Sequence, residues 1–149
     1  MTETLWVLRR KRGAKNEVTK YKGRCVYNDK RRVNREFIET FSPAVRHTTV
    51  KTSVAVSCVK RRKRFSFDVS GAYLQGKYTN NEEVYARPPR GFRKFDPVTE
   101  VPIVWKMKTP LYGQGDAGLV WFRTIKNQLT NVQSFNQSDS DPSYFWKRT

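Results

Sequence analysis

The chain has 149 residues, 37% of them hydrophobic, and sets 30 lysines and arginines against 13 acids for a net charge of +17. That length allows one domain with a moderate core, for which a mean hydropathy of −0.78 is lean. The charge favours a polyanionic partner, nucleic acid first, because self-repulsion destabilises a compact basic chain unless phosphates or counterions offset it.

No apolar run is long enough to cross a bilayer, and the opening MTETLWVLRRKRG has no signal-peptide apolar segment. An intracellular protein, of the cytoplasm or nucleus and with no membrane partner, is the expectation. Residues 5–10 and 18–27 are β-rich stretches separated by KRGAKNE, whose Gly and Asn suit a turn, so a basic β-hairpin is predicted. Cys25 falls in its second strand. Residues 28–47 read as an irregular crossing loop. From Thr48 to Lys60, Val50, Val54 and Cys58 recur at helical spacing, which favours a helix with Thr48 as N-cap, although Val54, Val56 and Cys58 also fit a strand. Cys58, among valines, reads as a small core residue. Two cysteines so far apart and the single His47 argue against a zinc site or a disulfide framework.

KRRKR, residues 60–64, has the form of a localisation signal but is more simply a solvated connection. RFSFDV, EVYARPPRGF and VPIVWKMK read as strands, the second ended by two prolines. Leu119, Phe122, Ile125, Leu129 and Val132 support a helix from about Asp116 to Gln133, with Asp116 as N-cap. SYFWKRT reads as a last aromatic strand. Strands and helices mixed without a βαβ rhythm give an α+β fold, with antiparallel strands and two or more helices.

Asp68 stands out: a lone acid beside Phe65, Phe67 and Val69, which the pattern would bury. A buried carboxylate costs several kcal/mol, roughly, without a compensating partner. Either it closes a turn on the amides of Ser70 and Gly71, or a cation compensates it.

The ordered motifs resemble the reverse transcriptase of copia-type LTR retrotransposons over nearly the whole chain. WVLRRKRGAKNEVTKYKGRCV resembles that family's finger hairpin, and FIETFSPAVRHTTVKTSVAVS its ETFSPV segment with the helix behind it. FDVSGAYLQG is similar to its first catalytic motif, followed by EEVYARPPRGF and WKMKTPLYGQGDAGLVWF in family order. The resemblance implies the fingers and first part of the palm of an RNA-dependent DNA polymerase over residues 1–149, as part of a polyprotein. It implies an RNA template, a DNA primer and a deoxynucleoside triphosphate as partners, and two Mg²⁺ ions about 4 Å apart in the complete domain. Asp68 would bridge those ions, with the carbonyl of Val69 as a further ligand. Lys22 and Arg24 match triphosphate-contacting finger positions, and Tyr73 an aromatic gate against the ribose 2′-hydroxyl.

Two departures stand beside it. The family's aromatic-x-Asp-Asp turn is absent from the chain; the late acids Asp139 and Asp141 match the segment ahead of it, and Asp141 reads as a loop residue. The expectation is a chain cut before that motif and inactive by itself. Second, Asp116 replaces the family's nucleotide-side glutamine, and Gln114, two positions earlier, is the remaining candidate for contact with substrate.

Overall fold

A computed structural model of the chain describes residues 2–31, 38–78 and 83–148. The predicted hairpin forms from β1 (Thr2–Arg12) and β2 (Val18–Tyr27), antiparallel from Thr4↔Tyr27 to Lys11↔Lys20, with a register shift at Lys11/Arg12. Its turn closes through Gly13 N–H donating to the Glu17 carbonyl at 2.9 Å and Asn16 N–H to the Gly13 carbonyl at 3.0 Å. Asn16 sits there at φ 64°, a left-handed conformation that asparagine tolerates well.

Two further strands, β3 (Val84–Arg87) and β4 (Trp105–Met107), complete a sheet of order β2-β1-β3-β4. β3 runs parallel to β1, with Thr2 opposite Ala86, and antiparallel to β4. The sheet is therefore mixed, where antiparallel strands were expected. Alternation along β3 buries Val84 and Ala86, which form the core with Tyr27; Tyr78, Met107 and Leu111 pack around them. Thr4 is buried as well, and its hydroxyl is satisfied by donating to the Arg87 carbonyl at 2.8 Å.

The crossing loop over 28–47 begins with a 3₁₀ turn, Asp29–Arg31, and runs as coil over 38–46; residues 32–37 lie outside the described residues. The helix α1 (His47–Val59) follows, with Arg46 rather than Thr48 at its N-cap. Its rotation also departs from expectation. Val50 and Val54 are 45% and 43% exposed and Cys58 faces solvent, while the half-buried stripe is Thr49, Ser53 and Ser57. The cause lies far along the chain: the buried Asp141 carboxylate accepts from the Thr49 hydroxyl and the Arg46 N–H, turning the hydroxyl stripe inward. Cys58 is thus no core residue; its sulfur accepts from Arg64 Nη1 at 3.2 Å.

The predicted strand RFSFDV does not form. Phe65 and Phe67 are each 89% exposed and Asp68 is exposed too. No described strand pairs with this segment, and alternation without a ladder partner does not hold a strand. Instead the chain turns through Gly71 at φ 63° into the single helical turn α2 (Ala72–Gln75). KRRKR is a solvated connection, exposed throughout.

The last long helix, α3 (Ala117–Asn127), continues into a π turn, Gln128–Val132, close to the predicted span. Leu119 is buried, Phe122, Ile125 and Leu129 half-buried, and Val132 exposed. Asp116 occupies the N-cap position, buried, and makes no side-chain capping bond to the helix. β5 (Asn136–Gln137) and β6 (Phe145–Trp146) form a short antiparallel pair, and Asp141 lies in the turn between them. The fold is α+β, as the alternation of patterns indicated. Among the described residues no helix is long and apolar enough to cross a membrane.

Candidate functional site

The hairpin fixes the first part of the site. Because alternate strand residues share a face and Arg9 pairs with Lys22, the side chains of Arg9, Lys11, Lys20, Lys22 and Arg24 emerge on one side of the sheet. This crowding lowers the pKa of Lys22, chiefly through the charge of Arg24, then through burial, then through Lys11 and Lys20. Like charges gathered on one face raise the local positive potential, which is the cause of that shift.

The second part comes from the turn around Gly71. α2 docks on α3: the Lys77 N–H donates to Thr124 Oγ1 at 3.0 Å, and Gly76 lies against Pro110 and Val120. This carries Asp68, Val69 and Tyr73 to the basic face of β2. Together Lys22, Arg24, Asp68, Val69 and Tyr73 line one cleft of about 670 Å³, closed by Tyr112 and Trp121. Among the described residues Asp68 makes no hydrogen bond or ion pair, either with the turn amides or with a cation. Its exposure removes the need, because the cost of an uncompensated carboxylate is a cost of burial.

Gln114 is elsewhere. It is 5% exposed, its Oε1 accepts from the Leu111 N–H at 2.6 Å, and its Nε2 donates to the Tyr78 hydroxyl at 3.0 Å. These bonds hold the loop ahead of α3 against the core, and the side chain does not line the cleft. Conversely, Tyr112 and Trp121 line it without having been singled out. The signal for Tyr112 was the glycine after it. Gly113 has φ 90°, and a Cβ there would lie 2.5 Å from both the Tyr27 carbonyl oxygen and Val26 Cγ1. That close approach lets the Tyr27 N–H donate to the Tyr112 carbonyl at 2.8 Å, which fixes Tyr112 beside β2.

Among the described residues, Asp68 is the one acid lining the cleft, and no group of three or more His, Cys, Asp or Glu comes together. With a single carboxylate, this donor set does not by itself make a two-metal centre. Chemically the cleft offers, among the described residues, two cations, one carboxylate and aromatic walls.

The sequence model of the family described as reverse transcriptase (RNA-dependent DNA polymerase) matches residues 2–149. The chain belongs to that family, and the resemblance drawn from the ordered motifs is borne out. It is similar, at 31% identity over 143 residues, to the retrovirus-related Pol polyprotein from transposon RE1 of Arabidopsis thaliana, a match covering 94% of this chain and 9% of that protein. Similarity to the corresponding polyprotein from transposon TNT 1-94 of Nicotiana tabacum is 27% over 146 residues, 96% of this chain and 10% of that protein. The chain thus spans about a tenth of the length of these relatives. No solved structure matches it. Membership in the family implies use of a divalent metal in general terms.

Proposed function

We propose that residues 1–149 form the fingers and first part of the palm of an RNA-dependent DNA polymerase of a copia-type retrotransposon, and that the cleft takes the incoming deoxynucleoside triphosphate. The observation that carries this reading is the convergence of Lys22 and Arg24, from the hairpin, with Asp68, Val69 and Tyr73, from the turn before α3, on one cleft. The Arg24 fork suits two phosphate oxygens at once and Lys22 adds a point charge. Tyr73 stands as the wall against the sugar. RNA template and DNA primer are the polyanions that the charge of +17 accommodates. Asp68 and the Val69 carbonyl are the ligands that these residues would offer to the Mg²⁺ site of the complete domain. An intracellular setting within a polyprotein belongs to the same proposal.

A second reading, a noncatalytic nucleic-acid-binding protein, is favoured by the five cations on one hairpin face, which suit a phosphate backbone without any role for Asp68. Titration with a deoxynucleoside triphosphate, with and without Mg²⁺, separates the two. Binding that Mg²⁺ strengthens in the native chain but not in Asp68→Asn supports the polymerase reading. Equal, salt-sensitive binding by both chains with no effect of Mg²⁺ supports the second.

A further inference from the structure

We infer that Tyr112 is a positioning residue that makes the cleft one unit, so that triphosphate affinity and sugar selection are set together; this rests on reading the cleft as a deoxynucleotide site. The Arg24 guanidinium carbon lies 4.9 Å from the centroid of the Tyr112 ring, within cation–π range. The same ring meets Tyr73, with centroids 5.5 Å apart and planes inclined by 56°, a tilted aromatic contact. One half-buried ring therefore touches both the cation proposed for phosphate and the aromatic proposed for sugar.

Tyr112 is itself held. Its carbonyl is bonded to β2 through Tyr27, and the glycine after it allows the approach that no side chain would. The anchor sits on the strand that carries Arg24, so the loop that holds the ring is tied to the element that holds the guanidinium. A guanidinium laid against an aromatic face keeps its in-plane N–H donors available for oxygens. Removing the ring frees the long Arg24 side chain to disperse its rotamers and removes the neighbour against which Tyr73 stands.

The test measures, by calorimetry, binding of dATP, ATP and inorganic tripolyphosphate to the native chain, Tyr112→Leu, Tyr112→Phe and Arg24→Gln. Tyr112→Leu is expected to weaken tripolyphosphate and dATP by about tenfold and to bring the dATP-to-ATP preference close to unity, while Tyr112→Phe keeps both. If Tyr112→Leu does not fold, Tyr112→Met, whose unbranched side chain adapts to an irregular gap and also lacks the ring, gives the same readout. A Tyr112→Leu chain with a lower Tm but unchanged affinities and preference overturns the inference, as does an equal loss in Tyr112→Phe. When Arg24→Gln weakens binding and Tyr112→Leu does not, the inference alone falls. When the native chain neither prefers dATP nor depends on Arg24, the nucleotide reading falls with it.

Discussion

Asp141 Oδ2 accepts a hydrogen bond from the Arg46 N–H at 2.9 Å, tying together segments 95 residues apart at the first turn of α1. With the Thr49 hydroxyl and the Ser143 N–H, this bond holds the Asp141 carboxyl below the ordinary aspartate value of 3.8 against the opposing effect of burial. A depressed native pKa means stability that is fully present above the ordinary value and lost as pH falls through the native one. Asp141→Asn is therefore expected to lower Tm by a few degrees at neutral pH, and the difference to shrink as pH falls below the ordinary aspartate value and through the native one. Thermal unfolding of both chains across that range checks it, and parallel curves would refute it.

The crowding that lowers the pKa of Lys22 is a cost to the fold: with its native pKa depressed, the protonated lysine destabilises the chain at every pH below that value. Lys22→Met should raise Tm while weakening tripolyphosphate binding, and added polyphosphate should stabilise the native chain more than the variant. A Tm that falls in Lys22→Met would show that its packing outweighs its charge.

Gly113→Ala combines a left-handed backbone with a Cβ placed against the Tyr27 carbonyl, which is backbone and does not yield cheaply. We expect a loss of at least about 2 kcal/mol in denaturant unfolding. Gly91, also at positive φ but with nothing near its Cβ, is the control, and its alanine variant should lose less.

Gln114→Leu leaves the Leu111 N–H without its acceptor in a buried place, an expected loss of about 1–3 kcal/mol. Deoxynucleotide affinity, compared at a temperature where both chains are folded, should stay within about twofold of native. A specific loss of affinity without loss of stability would return Gln114 to the substrate.

Phe65→Ser and Phe67→Ser should each change stability by less than about 0.5 kcal/mol, because both rings stand in solvent. Either variant unfolding markedly would restore the buried strand that the alternating pattern suggested.

The hairpin, the strand at Val84, the helix from Ala117 and the α+β class were legible because each is written in a short window: turn residues, two-residue alternation, or three- and four-residue spacing. Of the residues that meet in the cleft, Lys22, Arg24, Asp68, Val69 and Tyr73 had been singled out, through ordered motifs rather than through any local pattern, and Tyr112 and Trp121 had not. The rotation of α1, the exposure of Phe65 and Phe67, the burial of Gln114 and the place of Tyr112 were settled only in three dimensions. Periodicity identifies a face but not what that face meets. For α1 the hydroxyl stripe turned inward because a carboxylate from the far end of the chain offered it hydrogen bonds, and the segment around Phe65 stayed out of the sheet because no described strand came to pair with it. Tyr112 took its position because a glycine let two backbones approach and exchange a hydrogen bond, a relation between distant segments that their spacing along the chain does not carry.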